Sequence, residues 1–190
     1  HGPFDPVDLP QGNPTIRALP EPAASMMIRL VRAHPGEVTI VAGGPLTNLA
    51  LAQRLDPQFA GLVGELVYMG GSFNPHRVLD NVSARQFARE FENTPRREFN
   101  IRFDPEAASI VSRGEWSKLT VVPVDPSTAT QLTPDLLARL GKAAPAPLRP
   151  LIAAMQPGFP MWDEIASAMV MDRTLVRQTR DLYVDYNTQF

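Results

Sequence analysis

Cysteine is absent from the 190-residue sequence, which removes disulfides, thiolate metal sites and a cysteine nucleophile together while saying nothing about compartment. Histidine is scarce. His1, His34 and His76 are the only three, and their spacing fits no zinc helix motif. Excess charge of one sign is missing too: 18 Lys and Arg stand against 20 Asp and Glu, for a formal net charge of −2. Without a basic run there is no electrostatic footprint for nucleic acid or for an anionic membrane surface. No stretch approaches the roughly 20 apolar residues of a membrane helix, and the start does not resemble a signal peptide. There is no Gly-x-Ser-x-Gly elbow for a serine nucleophile. Neither the Walker loop with its Lys-Ser/Thr ending nor Gly-x-Gly-x-x-Gly occurs, so phosphate cradling is disfavoured.

What remains is an ordinary core-forming chain. Hydrophobic residues make up 44% of it, and a chain of this size can bury roughly 70% of its unfolded surface, which suits one domain over 1–190. Proline is the one excess, at 20 residues. The first twenty residues are proline-rich and aperiodic and read as an extended, turn-rich segment. From Glu21 to Ala33, Ala24, Met27, Ile28 and Val31 recur at helical spacing until Pro35-Gly36 stops the run. Val38–Ala42 is a short β-branched strand ending at Gly43-Gly44, and Leu46–Leu55 is a second helix. Glu65–Met69 repeats the strand-then-glycine design before Gly70-Gly71, and Lys118–Val124 offers a third strand. Asp104-Pro105-Glu106 opens a helix as cap, first-turn proline and acidic residue. Pro134–Leu140, Pro147–Met155 and Trp162–Met171 read as helices, Lys142–Pro150 as a connector, and Asp181–Tyr186 as a returning strand. Alternating strands and helices, with continuously apolar strands, predict an α/β, Rossmann-like fold: a mostly parallel sheet flanked by helices.

Ligands of such sheets bind where loops converge at the carboxyl ends of the strands. Three glycine-bearing or polar loops lie there. Ala42-Gly43-Gly44-Pro45 either lets a ligand approach the backbone or is simply a tight strand-to-helix turn. Glu98 and Asn100 close a long irregular stretch and could offer an acceptor and an amide to a polyhydroxylated ligand, or be surface polarity. Pro160-Met161-Trp162-Asp163-Glu164 sets two carboxylates beside an indole, a pattern that dipole complementation and inward packing also explain. His34 sits at a helix end, where a positive ring is favourable in any case. Asp125-Pro126-Ser127-Thr128 reads equally well as a turn.

Taken in order, four blocks resemble the inosine-uridine preferring nucleoside hydrolase family. They are Val41-Ala-Gly-Gly-Pro-Leu-Thr-Asn-Leu-Ala50, Val67-Tyr-Met-Gly-Gly71, Glu98-Phe-Asn-Ile-Arg-Phe-Asp-Pro-Glu-Ala-Ala108, and Pro160-Met-Trp-Asp163 with Asp172 further on. The resemblance runs over the whole chain but only over the middle and later part of the family's domain. It implies hydrolysis of the N-glycosidic bond of ribonucleosides around a calcium ion. It makes Asp163 a calcium-ligand aspartate and Gly43 the residue whose carbonyl coordinates the ion. Met69, Asn93, Glu98, Phe99 and Asn100 match residues lining the ribose pocket, with Asn93 placed across a one-residue gap. His1-Gly2 resembles the start of another active-site loop, although Phe4-Asp5-Pro6 departs from the pattern that follows.

Breaking this bond builds positive charge on the ribose and negative charge on the leaving base, while water must be activated. Much of the family places a histidine before the calcium-ligand aspartate. Here that position is Trp162, as in the purine-preferring branch, where an indole stacks on a purine that is gaining a proton. Purine nucleosides such as inosine are the implied substrates. The family's opening Asp-x-Asp-Pro-Gly-x-Asp-Asp does not occur in this sequence. The expectation is a truncated, processed or split piece whose first strand and acidic loop lie elsewhere, inactive alone and completed by an amino-terminal fragment or within a homo-oligomer. The competing expectation is a non-catalytic nucleoside-binding or scaffold homologue.

Overall fold

The computed structural model describes residues 16–73 and 98–188. The chain enters through α1 (Ala23–Ala33). Its Ala24 and Val31 are buried on the predicted apolar stripe, and its end is closed by the His34 backbone N–H on the Leu30 carbonyl. Strand β1 (Thr39–Ala42) follows, then α2 (Thr47–Leu55), the short α3 (Phe59–Leu62) and β2 (Glu65–Met69). Beyond the undescribed segment come α4 (Phe99–Phe103), α5 (Pro105–Ser112) and β3 (Leu119–Val122). The remainder is helical: α6 (Val124–Ser127), α7 (Pro134–Ala143), a 3-10 turn at Ala146–Leu148, α8 (Arg149–Ala154), α9 (Asp163–Met171) and a second 3-10 turn at Arg173–Leu175. Among the described residues, no helix is long and apolar enough to cross a membrane.

The three strands form a parallel sheet in the order β1-β2-β3, with Thr39 opposite Glu65 and Leu66 opposite Leu119. Parallel neighbours need crossovers, and helices supply them, as the alternating pattern predicted. All five residues of β2 are buried. Its period of two divides the core between the sheet faces. Leu66 and Tyr68 join α1, α2, α3 and α5, whereas Val67 and Met69 join Val122, Val124 and the α9 residues Ala166 and Met169.

Three boundaries depart from the sequence reading. The third strand stops at Val122 because Pro123 has no N–H to donate, and Val124 begins a helix instead. The connector read over Lys142–Pro150 is partly helical, since α7 runs to Ala143 and a 3-10 turn follows. Asp181–Tyr186 is not a strand and runs as an extended segment.

At the amino end of the sheet, buried Glu65 accepts hydrogen bonds from Thr120 Oγ1 at 3.0 Å and from Arg173, and pairs with Lys118 Nζ at 3.2 Å. Burial pushes its carboxyl upward, but the hydrogen bonds from Arg173, Thr120 and Lys118 prevail and hold it below the ordinary 4.5. A carboxyl whose pKa is depressed on folding contributes stability that is complete above its unfolded value and is lost as pH falls through the native value. Arg173→Ala should therefore move the acid-unfolding midpoint, followed by circular dichroism, to higher pH. An unmoved midpoint would show that this pair does not tie the segment after α9 to the sheet.

Candidate functional site

Strand β2 delivers Met69 to the carboxyl edge of the sheet and turns at once through Gly70 and Gly71. Gly71 has φ +82°, a conformation that side chains rarely adopt. Glu98 caps α4 and is 1% exposed. Its Oε1 accepts from the Asn100 backbone N–H at 3.2 Å and its Oε2 from that of Ile101 at 2.9 Å. Both oxygens answer the unsatisfied donors of a helix start, which are favourable partners for an anion. Asn100 then reaches back, donating from Nδ2 to the Met69 carbonyl at 3.0 Å, with Met69 Sδ at 3.4 Å. Gly70 packs against this arrangement: a Cβ there would stand 3.5 Å from Glu98 Oε2 and 3.7 Å from Asn100 Cβ, at ordinary contact distance. Met69, Glu98 and Asn100 thus form one hydrogen-bonded group.

The second part of the site is built where β1 ends. Gly43 follows the strand, and Asp163 opens α9. A Cβ placed on Gly43 would stand 3.0 Å from both Cγ and Oδ1 of Asp163, so the carboxylate lies directly against the glycine backbone. Burial, and then the charges of Glu164 and Glu98, push the Asp163 carboxyl above its usual range. Trp162 precedes Asp163, sets its ring edge-on to Phe159 at 5.1 Å between centroids, and packs on the cluster containing Val67 and Met69. Among the described residues, no three His, Cys, Asp or Glu side chains gather as a metal-holding group.

Of the residues singled out from sequence, Gly43, Met69, Glu98, Asn100, Trp162 and Asp163 converge on one end of the sheet. Phe99 does not join them through its ring, which is 54% exposed and lies 4.7 Å from that of Phe103. Asn93, His1 and His76 lie outside the described residues. Asp172 has a local task, capping the turn after α9 through the Thr174 N–H at 2.9 Å and its hydroxyl at 2.6 Å. Asp125 accepts from the Phe73 N–H at 2.8 Å and so ties down the chain after Gly71. One link was not anticipated. Asp104 caps α5 through the Ala107 N–H at 2.9 Å, as read from sequence, but its other oxygen accepts from Thr47 Oγ1 at 2.5 Å. That bond joins the helix behind the Gly43 loop to the helix behind Glu98. Both residues stand within the quoted motifs, but nothing in either motif says that the two side chains meet.

A sequence model of the family described as Inosine-uridine preferring nucleoside hydrolase matches residues 2–190. Uridine nucleosidase 1 of Arabidopsis thaliana is 39% identical over 135 residues, covering 71% of this chain and 35% of that protein. The inosine-uridine preferring nucleoside hydrolase of Crithidia fasciculata is 35% identical over 134 residues, covering 70% of this chain and 38% of that protein. A solved plant nucleoside hydrolase superposes with a TM-score of 0.70 at 30% identity, covering 90% of this chain and 52% of its own. The chain spans less than half the length of these curated relatives.

Proposed function

Because this chain belongs to the inosine-uridine preferring nucleoside hydrolase family, we propose that it carries the sugar-recognition group and one metal-ligand side of an enzyme that cleaves the N-glycosidic bond of a purine ribonucleoside with water. The observation that supports this best is the convergence of the Asp163 carboxylate on the Gly43 backbone, with the adjacent Trp162 packed on the cluster that holds Met69, to which Asn100 is bonded.

The donors fit calcium in kind. A carboxylate and a backbone carbonyl are hard oxygen ligands, and the Asp163 carboxylate lies against the Gly43 backbone. Asp163 and the Gly43 carbonyl would hold the ion, and the rest of its roughly six to eight oxygens would come from waters, the ribose diol and an Asp-rich segment outside residues 1–190. When bound, calcium would polarise the attacking water and hold sugar hydroxyls.

The protein's own residues account for the remaining chemistry. Each Glu98 oxygen already has a backbone donor yet keeps acceptor capacity for a ribose hydroxyl. Asn100 is fixed by the Met69 carbonyl, so sugar recognition is organised before substrate arrives. The Trp162 face would stack on a purine as it gains a proton.

The test is release of ribose from inosine by the intact protein supplied with calcium. Nucleoside binding without ribose release would instead favour the non-catalytic homologue. Trp162→Ala should lower kcat/KM for inosine by about tenfold or more, the scale of one lost base–aromatic stack, and lower it less for uridine. Equal losses on the two substrates would remove the stacking role.

A further inference from the structure

Tyr68 is fully buried in the main core, where a phenylalanine would fill the same space without a hydroxyl to satisfy. Its hydroxyl lies 2.8 Å from that of Tyr186, 118 positions later in the extended segment after α9. That segment has no regular structure, and Leu182 and Tyr183 point outward at 61% and 93% exposure. It is held instead by two consecutive residues. Asp185 takes the Arg113 guanidinium at 2.7 Å and the hydroxyls of Ser109 and Ser112 at 3.3 and 3.4 Å, all on or next to α5. Tyr186 turns inward against the main core.

The Tyr186 hydroxyl does more than partner Tyr68. A Cβ on Gly71 would stand 3.1 Å from it, so it rests against the turn that β2 makes after Met69 and Gly70. On the same turn, Glu98 Oε2 stands 3.5 Å from where a Gly70 Cβ would be. Burial raises both phenols, Tyr186 to about 12, and the negative charge of Glu98 raises both further. Two neutral phenols therefore stand behind the Gly70-Gly71 turn within the field of the buried carboxylate.

We propose that the Tyr68–Tyr186 hydroxyl pair is a positioning device for the sugar-recognition group, fixing the Gly70-Gly71 turn and the Glu98 carboxylate beside it. Resting on the nucleoside hydrolase reading, it makes the segment after α9 part of the ribose site. Neither tyrosine touches substrate. They act through the turn and through Glu98, so their loss should weaken sugar binding more than it slows the chemical step.

Three variants of the intact protein decide this: Tyr186→Phe, Tyr68→Phe and the double substitution. Each single change orphans one buried hydroxyl and lowers Tm, while the double change removes both groups and restores Tm toward wild type. The expected result is a KM for inosine raised about tenfold in Tyr186→Phe with kcat changed far less, and, decisively, a KM still raised in the double variant despite recovered Tm. Recovery of KM together with Tm, or a KM unmoved in all three, overturns the proposal and leaves the pair a packing feature. A wild-type protein that neither releases ribose nor binds it in calorimetry overturns the nucleoside reading itself, and the pair's role falls with it. Wild-type turnover with an unmoved KM in the variants overturns the positioning role alone.

Discussion

Asp163→Ala should abolish calcium-dependent ribose release, with turnover falling by about a thousandfold or more. Metal-assisted activation contributes several kcal/mol to such a barrier, and each ~1.4 kcal/mol is tenfold in rate. Calcium affinity, read by calorimetry, should fall with turnover. Stability should not. In native protein without metal, the Asp163 carboxyl is raised by burial and by the charges of Glu164 and Glu98, so its ionised form is disfavoured before any ion arrives. Removing that charge gives up a favourable helix-start interaction of about 0.3–1 kcal/mol but relieves burial and repulsion from Glu164 and Glu98, so the net change in the apo fold is small. An unchanged or slightly raised apo Tm beside lost turnover is the pattern of a residue placed for function. Unchanged turnover would move the ion away from α9. Loss of Tm together with activity would make Asp163 a structural cap of that helix.

Much of this site was legible because its parts obey local rules. Glu65–Met69 was bounded correctly since a continuous apolar run ends in two glycines. The Asp104 cap was visible in its Asp-Pro-Glu start, and the structure gives it the expected bond to the third N–H. Helix α4 was not visible, because five residues over Phe99–Phe103 are too few to establish a period. The burial of Glu98 follows from that helix, which its carboxylate caps. Asp181–Tyr186 misled in the opposite way. Leu182, Val184 and Tyr186 alternate as a strand would, yet the segment adds no rung to the sheet, and side-chain anchors at Asp185 and Tyr186 hold it instead. Contacts made by pairs distant in sequence, Thr47 with Asp104 and Tyr68 with Tyr186, carry no local signature and emerge only when the chain is folded.

Gly43→Ala should separate metal-site geometry from fold stability more sharply than any change of charge. The added methyl would sit 3.0 Å from Asp163 Cγ and Oδ1 and 3.4 Å from its Cβ, so the carboxylate must give way by a few tenths of an ångström. Gly43 is not among the glycines held at positive φ, so alanine meets no backbone strain. Its smaller unfolded-state entropy offsets part of the crowding, by about 0.4–1 kcal/mol. Thermal stability should accordingly change little. Function has no such compensation, because the position of a ligand oxygen sets both ion affinity and the placement of the reacting groups, and disturbing the support of a metal ligand costs about ten- to a hundredfold. The expected result is a loss of that size in kcat/KM, with calcium affinity weakened in parallel and Tm within a few degrees of wild type. Gly44→Ala is the internal control, since a Cβ at that neighbouring glycine would meet no atom within 4 Å. Equal effects at the two glycines would mean that the loop needs flexibility. An effect confined to Gly43 would assign the requirement to the space between its backbone and Asp163.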